Sequence, residues 1–559
     1  MGGAHRSRSR HHLLPAFSRP RAGHDRRRQS SSGAGMKTDL GLPAERNAYH
    51  VEAGVRVPTR DGETLLSDHY VPDTGEPRGT ILIRSSYGRS APYSSLLAEP
   101  YAARGYHVLM QSVRGTVGST GTFEPMVNES ADALDTLEWL RAQDWFDGRL
   151  GTIGASYLGF TQYGLMLHAP DELKASVVMM APHHFGEAIY ARGMFALETF
   201  LGWSNSAGLL ASGLAGAEMV ELAMSIQDKL TGVMTGLPMT EAAESLIGGL
   251  APWYREWLLH PDLSDEFWSG YDFTAALYRT QASVLLIGGW SDMFLDQMAT
   301  QYAVLHGRGL DVAMTLGDWK HTDTLSVGAP EIHQQALAWF DQHVAGAEPS
   351  RRTKPVRVQL VGPGEWVDLD EWPPRTTEIM FALGTDLIGE RTTFGYHPDD
   401  PTPSFGGRAM TATGHVDNAE LEARPDVLTF TSAPLDTQVD VIGTPTVELV
   451  LAVDNPYSDV FVRICDVDRS GVSVNVTDVI RRLDASVPAG NPQRLQLSLD
   501  PCAYRIEAGH RVRLQVSGAA HPRHARNLGV AGRQTTSTEL MPSVHSITLE
   551  GSKVILPVY

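Results

Sequence analysis

The segment Thr152-Ile153-Gly154-Ala155-Ser156-Tyr157-Leu158-Gly159 holds the residues best suited to chemistry in this chain. An apolar run leads into a Gly-x-Ser turn and then into a helical pattern. A serine on so tight a turn has its hydroxyl pushed clear of the sheet's carboxyl edge, where it can attack a carbonyl carbon. The N–H of the next residue, at a helix N-terminus, can point at the oxygen that becomes negative during that attack. The chemistry is acyl transfer through a serine ester. The usual spacing is Gly-x-Ser-x-Gly, whereas here the second glycine comes one place late, at Gly159. Alone, the pattern also fits an ordinary strand–helix turn.

A serine nucleophile needs a base and an acid that orients it, each carried on a loop after a later strand in the order Ser, Asp/Glu, His. Asp292 follows the apolar run Val284 to Ile287 within Gly288-Gly289-Trp290-Ser291-Asp292. His321 follows the run Val312 to Leu316 within Gly317-Asp318-Trp319-Lys320-His321. Separately, Asp292 reads as a turn former or helix cap and His321 as a solvated loop histidine. Three residues in the right order at the carboxyl ends of predicted strands favour a triad, because ligand crevices form at such ends in open parallel sheets. A fourth candidate is Tyr87 in Arg84-Ser85-Ser86-Tyr87-Gly88, right after an early strand. Its phenol could donate to the oxyanion, or its ring could serve as an aromatic lid.

The elements that must position these residues alternate. Val57 to Val71 reads as a hairpin turning at Arg60-Asp61-Gly62, and Thr80 to Arg84 and His107 to Gln111 read as buried strands. A helix over 131–142, a strand over 150–155, a helix over 159–167 and a strand over 175–180 follow. Such alternation predicts a mainly parallel sheet covered by helices on both faces. Residues 185–277 lack strand runs and read as an inserted helical cap, after which strands resume and end in a helix over 331–344. Beyond Pro355, short alternating strands such as Val356 to Val361 and Val447 to Val453 predict an all-β jelly roll or sandwich. The expected organisation is a leader over 1–40, an α/β core over 41–184 and 278–349, a cap over 185–277 and a β domain over 350–559.

Ser86-Tyr87-Gly88, the run from Arg114 to Gly121, the elbow from Gly154 to Gly159, Gly289-Trp290-Ser291-Asp292 and Gly317-Asp318-Trp319-Lys320-His321 together resemble the cocaine-esterase-like and X-prolyl dipeptidyl-peptidase group of serine hydrolases. Gly364-Glu365-Trp366 is a weaker echo. The likeness spans residues 45–559 and implies an α/β-hydrolase core, a helical cap and a C-terminal jelly roll. It further implies Ser156 as nucleophile, His321 as base, Asp292 as its acid, and Tyr87 with the Tyr157 amide as oxyanion hole. By the same resemblance Trp203 and Phe294 line the acyl pocket, and the late Gly159 is the form this group uses. The chain departs from the group at Ser291, where Tyr or His is frequent, and at Asp318, where Pro is frequent.

The chain of 559 residues has a net charge of −19, which argues against nucleic acid as a partner. The charge is uneven: residues 1–36 hold eight arginines against Asp25, +7, leaving −26 for the remainder. This leader is expected to be disordered, as an inert tail or an upstream translation artefact with Met36 as the natural start, since its apolar stretch Leu13 to Phe17 is too short for an export signal. No Gly-Lys dipeptide occurs, so a phosphate-binding loop is excluded. His183-His184 reads as a loop pair, and Cys465 and Cys502 as buried free thiols. The expectation is a cytoplasmic serine hydrolase without cofactor or metal, acting on a small-molecule ester or amide, with no membrane or nucleic-acid partner, a homodimer being an allowed assembly. X-Pro dipeptidyl-peptidase and α-amino-acid ester hydrolase activities are the alternatives within the class. A carbohydrate-binding protein with an inert core is the alternative outside it.

Overall fold

The computed structural model describes residues 39–214, 217–348, 352–410 and 414–559, and the expected leader over 1–40 lies almost wholly outside them. Ten strands form the largest sheet: β1 (Tyr49–Pro58), β2 (Thr64–Pro72), β3 (Thr80–Ser85), β4 (His107–Ser112), β5 (Leu150–Ala155), β6 (Leu173–Met179), β7 (Ser283–Ser291), β8 (Val312–Lys320), β9 (Val356–Gln359) and β10 (Trp366–Leu369). Their spatial order is β1-β2-β4-β3-β5-β6-β7-β8-β9-β10. Pairing is parallel from β4 through to β9 and antiparallel at both ends of the sheet. The central strands read as unbroken apolar runs because both of their faces are covered. All of β3 and β4 is buried, and so is all of β7 beyond Ser283.

Two glycines of β5 show how closely the helices approach. A Cβ on Gly151 would lie 2.8 Å from the Phe340 ring, and one on Gly154 would lie 2.3 Å from the Leu158 Cβ. Positions three apart on a strand face opposite ways, so the two helices involved cover opposite faces.

The main helices are α1 (Glu129–Arg141), α2 (Tyr157–Met166), α3 (Leu197–Ala211), α4 (Ala217–Thr235), α5 (Met239–Ile247), α6 (Pro252–Leu259), α7 (Leu295–Gly307) and α8 (Ala329–His343). Helices α3 to α6 lie in the stretch between β6 and β7, around an aromatic core in which Phe185 meets Trp257 and Phe200 edge to face at 5.4 and 5.3 Å. The same stretch contains a two-residue hairpin, Tyr190–Ala191 with Met194–Phe195, too short to leave a periodic trace in the sequence.

The C-terminal region is β-rich. One sheet is built around the long strand Ser543–Val558, against which Thr377–Ala382, Thr393–Tyr396, Val439–Gly443 and Thr446–Val453 pair antiparallel. The other runs Leu387–Ile388, Leu428–Ser432, Arg511–Ser517, Asp459–Val467 and Ser473–Arg482, also antiparallel. Cys465 and Cys502 are free and buried, and burial pushes both thiols up to about 12. The run from Val356, expected to open the β region, instead adds to the large sheet: Val356–Val358 pair in parallel with Met314–Leu316, and β10 folds back on β9. Alternation shows that a run is a strand, but the edge it joins is decided by tertiary pairing. Among the described residues no helix is long and apolar enough to cross a membrane.

Candidate active site

Ser156 stands between the end of β5 and the first residue of α2, with φ 59° and ψ −121°. A non-glycine residue in this region is strained by about 1–3 kcal/mol, which the surrounding packing must offset. That packing explains both glycines of the motif. Gly154 leaves room for Leu158, and a Cβ on Gly159 would fall 2.3 Å from the Cβ of Ala181. The late glycine therefore answers to the chain just beyond β6, at Ala181, as well as to the turn. Tyr157 is the first helical residue, so its N–H has no acceptor within the helix.

Asp292 follows β7 and His321 follows β8, two strands paired in parallel, so their carboxyl ends bring the two side chains together. The His321 Nδ1 lies 2.6 Å from the Asp292 Oδ1. Asp292 is wholly buried, and its Oδ2 accepts the Phe294 N–H at 2.9 Å, so each oxygen has a partner. With Nδ1 committed to the carboxylate, Nε2 is the nitrogen left to exchange a proton with a substrate or nucleophile.

Tyr87 follows β3. Its hydroxyl oxygen accepts the Trp203 Nε1–H at 3.2 Å, which leaves its own proton to donate. Burial raises the phenol pKa, against hydrogen bonds from Trp203, Ser156 and Ser86, so it stays protonated. Trp203, on α3, also stacks on Tyr157 with ring centroids 6.2 Å apart and 15° between planes.

Ser156 and Tyr157 open onto a pocket of about 260 Å³ with Trp203 and Phe294 in its wall. Phe294 also meets the His321 imidazole edge to face at 5.5 Å. Every residue singled out from the sequence for this site therefore borders the pocket or contacts a residue that does. The sequence does not reveal the rest of the lining: Met126, Pro182, Phe185, Phe200, Met293 and Met410. Met126 stands at φ 74° and its N–H is held by the Tyr157 hydroxyl at 3.1 Å. Met410 arrives from the far side of β10 in sequence, and its N–H reaches the Thr199 hydroxyl at 3.4 Å. Ser291 faces a different cavity, between β7 and the C-terminal region, lined also by Trp290, Val361, His415 and Tyr504.

Two family models match the chain. One, described as X-Pro dipeptidyl-peptidase (S15 family), covers residues 61–323. The other, described as the X-Pro dipeptidyl-peptidase C-terminal non-catalytic domain, covers residues 350–553. Cocaine esterase of Rhodococcus sp. (strain MB1 Bresler) is 29% identical over 545 residues, spanning 87% of this chain and 93% of its own. The solved structure of an α-amino acid ester hydrolase superposes with a TM-score of 0.76 at 21% identity, covering 94% of this chain and 100% of its own. An aminopeptidase from a marine sediment Thaumarchaeota archaeon does so with a TM-score of 0.76 at 19% identity, covering 95% and 99%. The fold is thus α/β-hydrolase-like, followed by a β-rich C-terminal region.

Proposed function

This chain belongs to the family of serine hydrolases that contains the X-Pro dipeptidyl-peptidases and cocaine esterase, and we propose that it cleaves carboxylic esters of uncharged, apolar acyl groups through an acyl-enzyme on Ser156. The observation that carries the substrate class is the pocket wall. Beside Ser156 it is aromatic, methionine and proline, and no carboxylate occurs among its described lining residues. A substrate with a free α-amine, as dipeptidyl-peptidase and α-amino-acid ester hydrolase activities require, would bury its ammonium there without a counter-charge.

In this reading His321 takes the Ser156 proton as the oxygen attacks the ester carbon, and passes it to the leaving alcohol. Asp292 fixes the imidazole and balances the charge it acquires. The Tyr87 hydroxyl and the Tyr157 N–H donate to the tetrahedral oxyanion, and water, deprotonated by His321, then releases the acid. Trp203 and Phe294 contact the acyl group. The C-terminal region, whose two sheets we read as a jelly roll, contributes Met410 to the wall from the loop after Thr393–Tyr396. The test compares p-nitrophenyl butyrate with Gly-Pro p-nitroanilide. Ester turnover should exceed anilide turnover by about 10² or more in kcat/KM, since an unpaired buried charge costs several kcal/mol. Preference for the anilide would overturn the substrate class.

A further inference from the structure

Behind the pocket, Glu129 on α1 is a carboxylate only 3% exposed, and its surroundings tie it to both ends of the proposed oxyanion hole. Its Oε1 accepts the Tyr157 hydroxyl proton at 2.6 Å. Its Oε2 lies 2.9 Å from the Arg84 Nη2, and its backbone carbonyl accepts the Arg84 Nη1–H at 2.7 Å. Arg84 lies near the end of β3, three residues before Tyr87. Tyr157 in turn stacks on Trp203, whose indole N–H is bound to Tyr87. The contacts close a circuit: Arg84, Glu129, Tyr157, Trp203, Tyr87, and back along the chain to Arg84.

The carboxylate is itself held in place. A Cβ on Gly164 of α2 would lie 3.1 Å from the Glu129 carbonyl carbon and oxygen, so α1 and α2 touch backbone to backbone at this residue. Burial raises the Glu129 pKa, while Arg84 and the Tyr157 hydroxyl oppose the rise. Nothing in the chemistry of ester cleavage asks for a buried carboxylate here, since the triad already has its acid in Asp292.

We propose that Glu129 is a positioning residue for oxyanion stabilisation: it holds the Tyr157 phenol, and through that side chain the peptide N–H that follows Ser156. The proposal rests on the serine-ester reading above. The Tyr157 Cα belongs to the same peptide unit as the oxyanion-binding N–H, so releasing the phenol frees that peptide to rotate. Displacements well under 1 Å at a hydrogen-bond donor matter because its value depends on distance and angle to the developing charge.

The test uses the full chain and two variants, Glu129→Gln and Tyr157→Phe. The second removes one oxygen and leaves the Arg84–Glu129 pair intact, so it decides the matter if Glu129→Gln does not fold. Active sites are titrated with a fluorophosphonate, and kcat is expressed per titrated site. Each variant should lose roughly 10- to 100-fold in kcat with KM within about threefold, the loss expected when a donor to the transition state is misplaced. Affinity for butylboronic acid, a tetrahedral mimic, should fall by the same factor, and the double variant should be no worse than the poorer single one. A merely structural role would instead lower thermal stability and the titratable fraction while kcat per site and boronate affinity held. Unchanged kcat per site in Tyr157→Phe, or additive losses in the double variant, overturns the proposal. Turnover surviving in Ser156→Ala would overturn the serine-ester reading itself, and the two failures are thereby told apart.

Discussion

The Ser156 turn, the Asp292–His321 pair and the Tyr87 phenol each do something a single substitution can isolate. Ser156→Ala should abolish ester hydrolysis, and more than a few per cent residual turnover would remove the serine from the mechanism. Tyr87→Phe keeps the ring in the wall and deletes only the donor. It should cost about 10²–10³ in kcat, read directly in steady-state kinetics. Asp292→Asn leaves a group of the same size beside His321 but lets the imidazole adopt the wrong tautomer, at a cost of about 10⁴ in kcat. These residues were legible in the sequence because each sits at a strand end flanked by glycines that leave a trace. Met410 was not, since one methionine in a glycine-containing loop resembles any other, and its place in the pocket comes from a tertiary contact with Thr199. Glu129 likewise reads as one acid in the first turn of a helix until its partners are seen.

At the scale of the element, the joint between β5 and α2 is closely packed, with no room for a Cβ at Gly154 or Gly159. Gly159→Ala would force a methyl onto the Ala181 Cβ, so it should destabilise the protein by about 1–3 kcal/mol in denaturant titration and slow fluorophosphonate labelling. At Gly202, inside α3, an added Cβ would meet nothing within 4 Å, and Gly202→Ala should stabilise by about 0.5–1 kcal/mol through helix propensity alone. The strand–helix alternation that carries these joints was readable from apolar periodicity, because burial on both faces imposes an unbroken apolar run. The short hairpin at Tyr190–Phe195 and the destination of β9 were not, since both depend on partners remote in sequence.

Across the whole molecule, burial has disarmed a set of histidines. His69, His183, His333, His521 and His545 are all buried, and desolvation lowers each to about 4; His524 is lowered to about 3. In the unfolded chain the same rings titrate near 6.5. The folded state therefore binds fewer protons between these values, and its stability, fully present above about pH 6.5, is lost as pH falls toward 4. Each ring contributes on the order of 1 kcal/mol per pH unit within that window. Thermal midpoints measured from pH 8 down to pH 4 should hold steady at first and then drop steeply below about pH 6. A flat profile across that range would contradict the assignment of neutral buried rings.

The two strands that the chain adds to the large sheet after residue 350 bear on how this protein can be divided. The two family matches leave a seam between residues 323 and 350, which invites cutting the molecule there. Yet Met314–Leu316 of β8 pair with Val356–Val358, the Trp290 indole donates to the Gln359 carbonyl at 2.7 Å, and Val361 bridges to Tyr504. A fragment ending at the seam would present a bare, apolar β edge with a row of unpaired N–H and C=O groups, the template on which chains stick to one another. The part that carries Ser156, Asp292 and His321 is thus not a transplantable module: excised there, it should elute as aggregate in size-exclusion chromatography, whereas a cut placed beyond β10 would at least leave that edge covered.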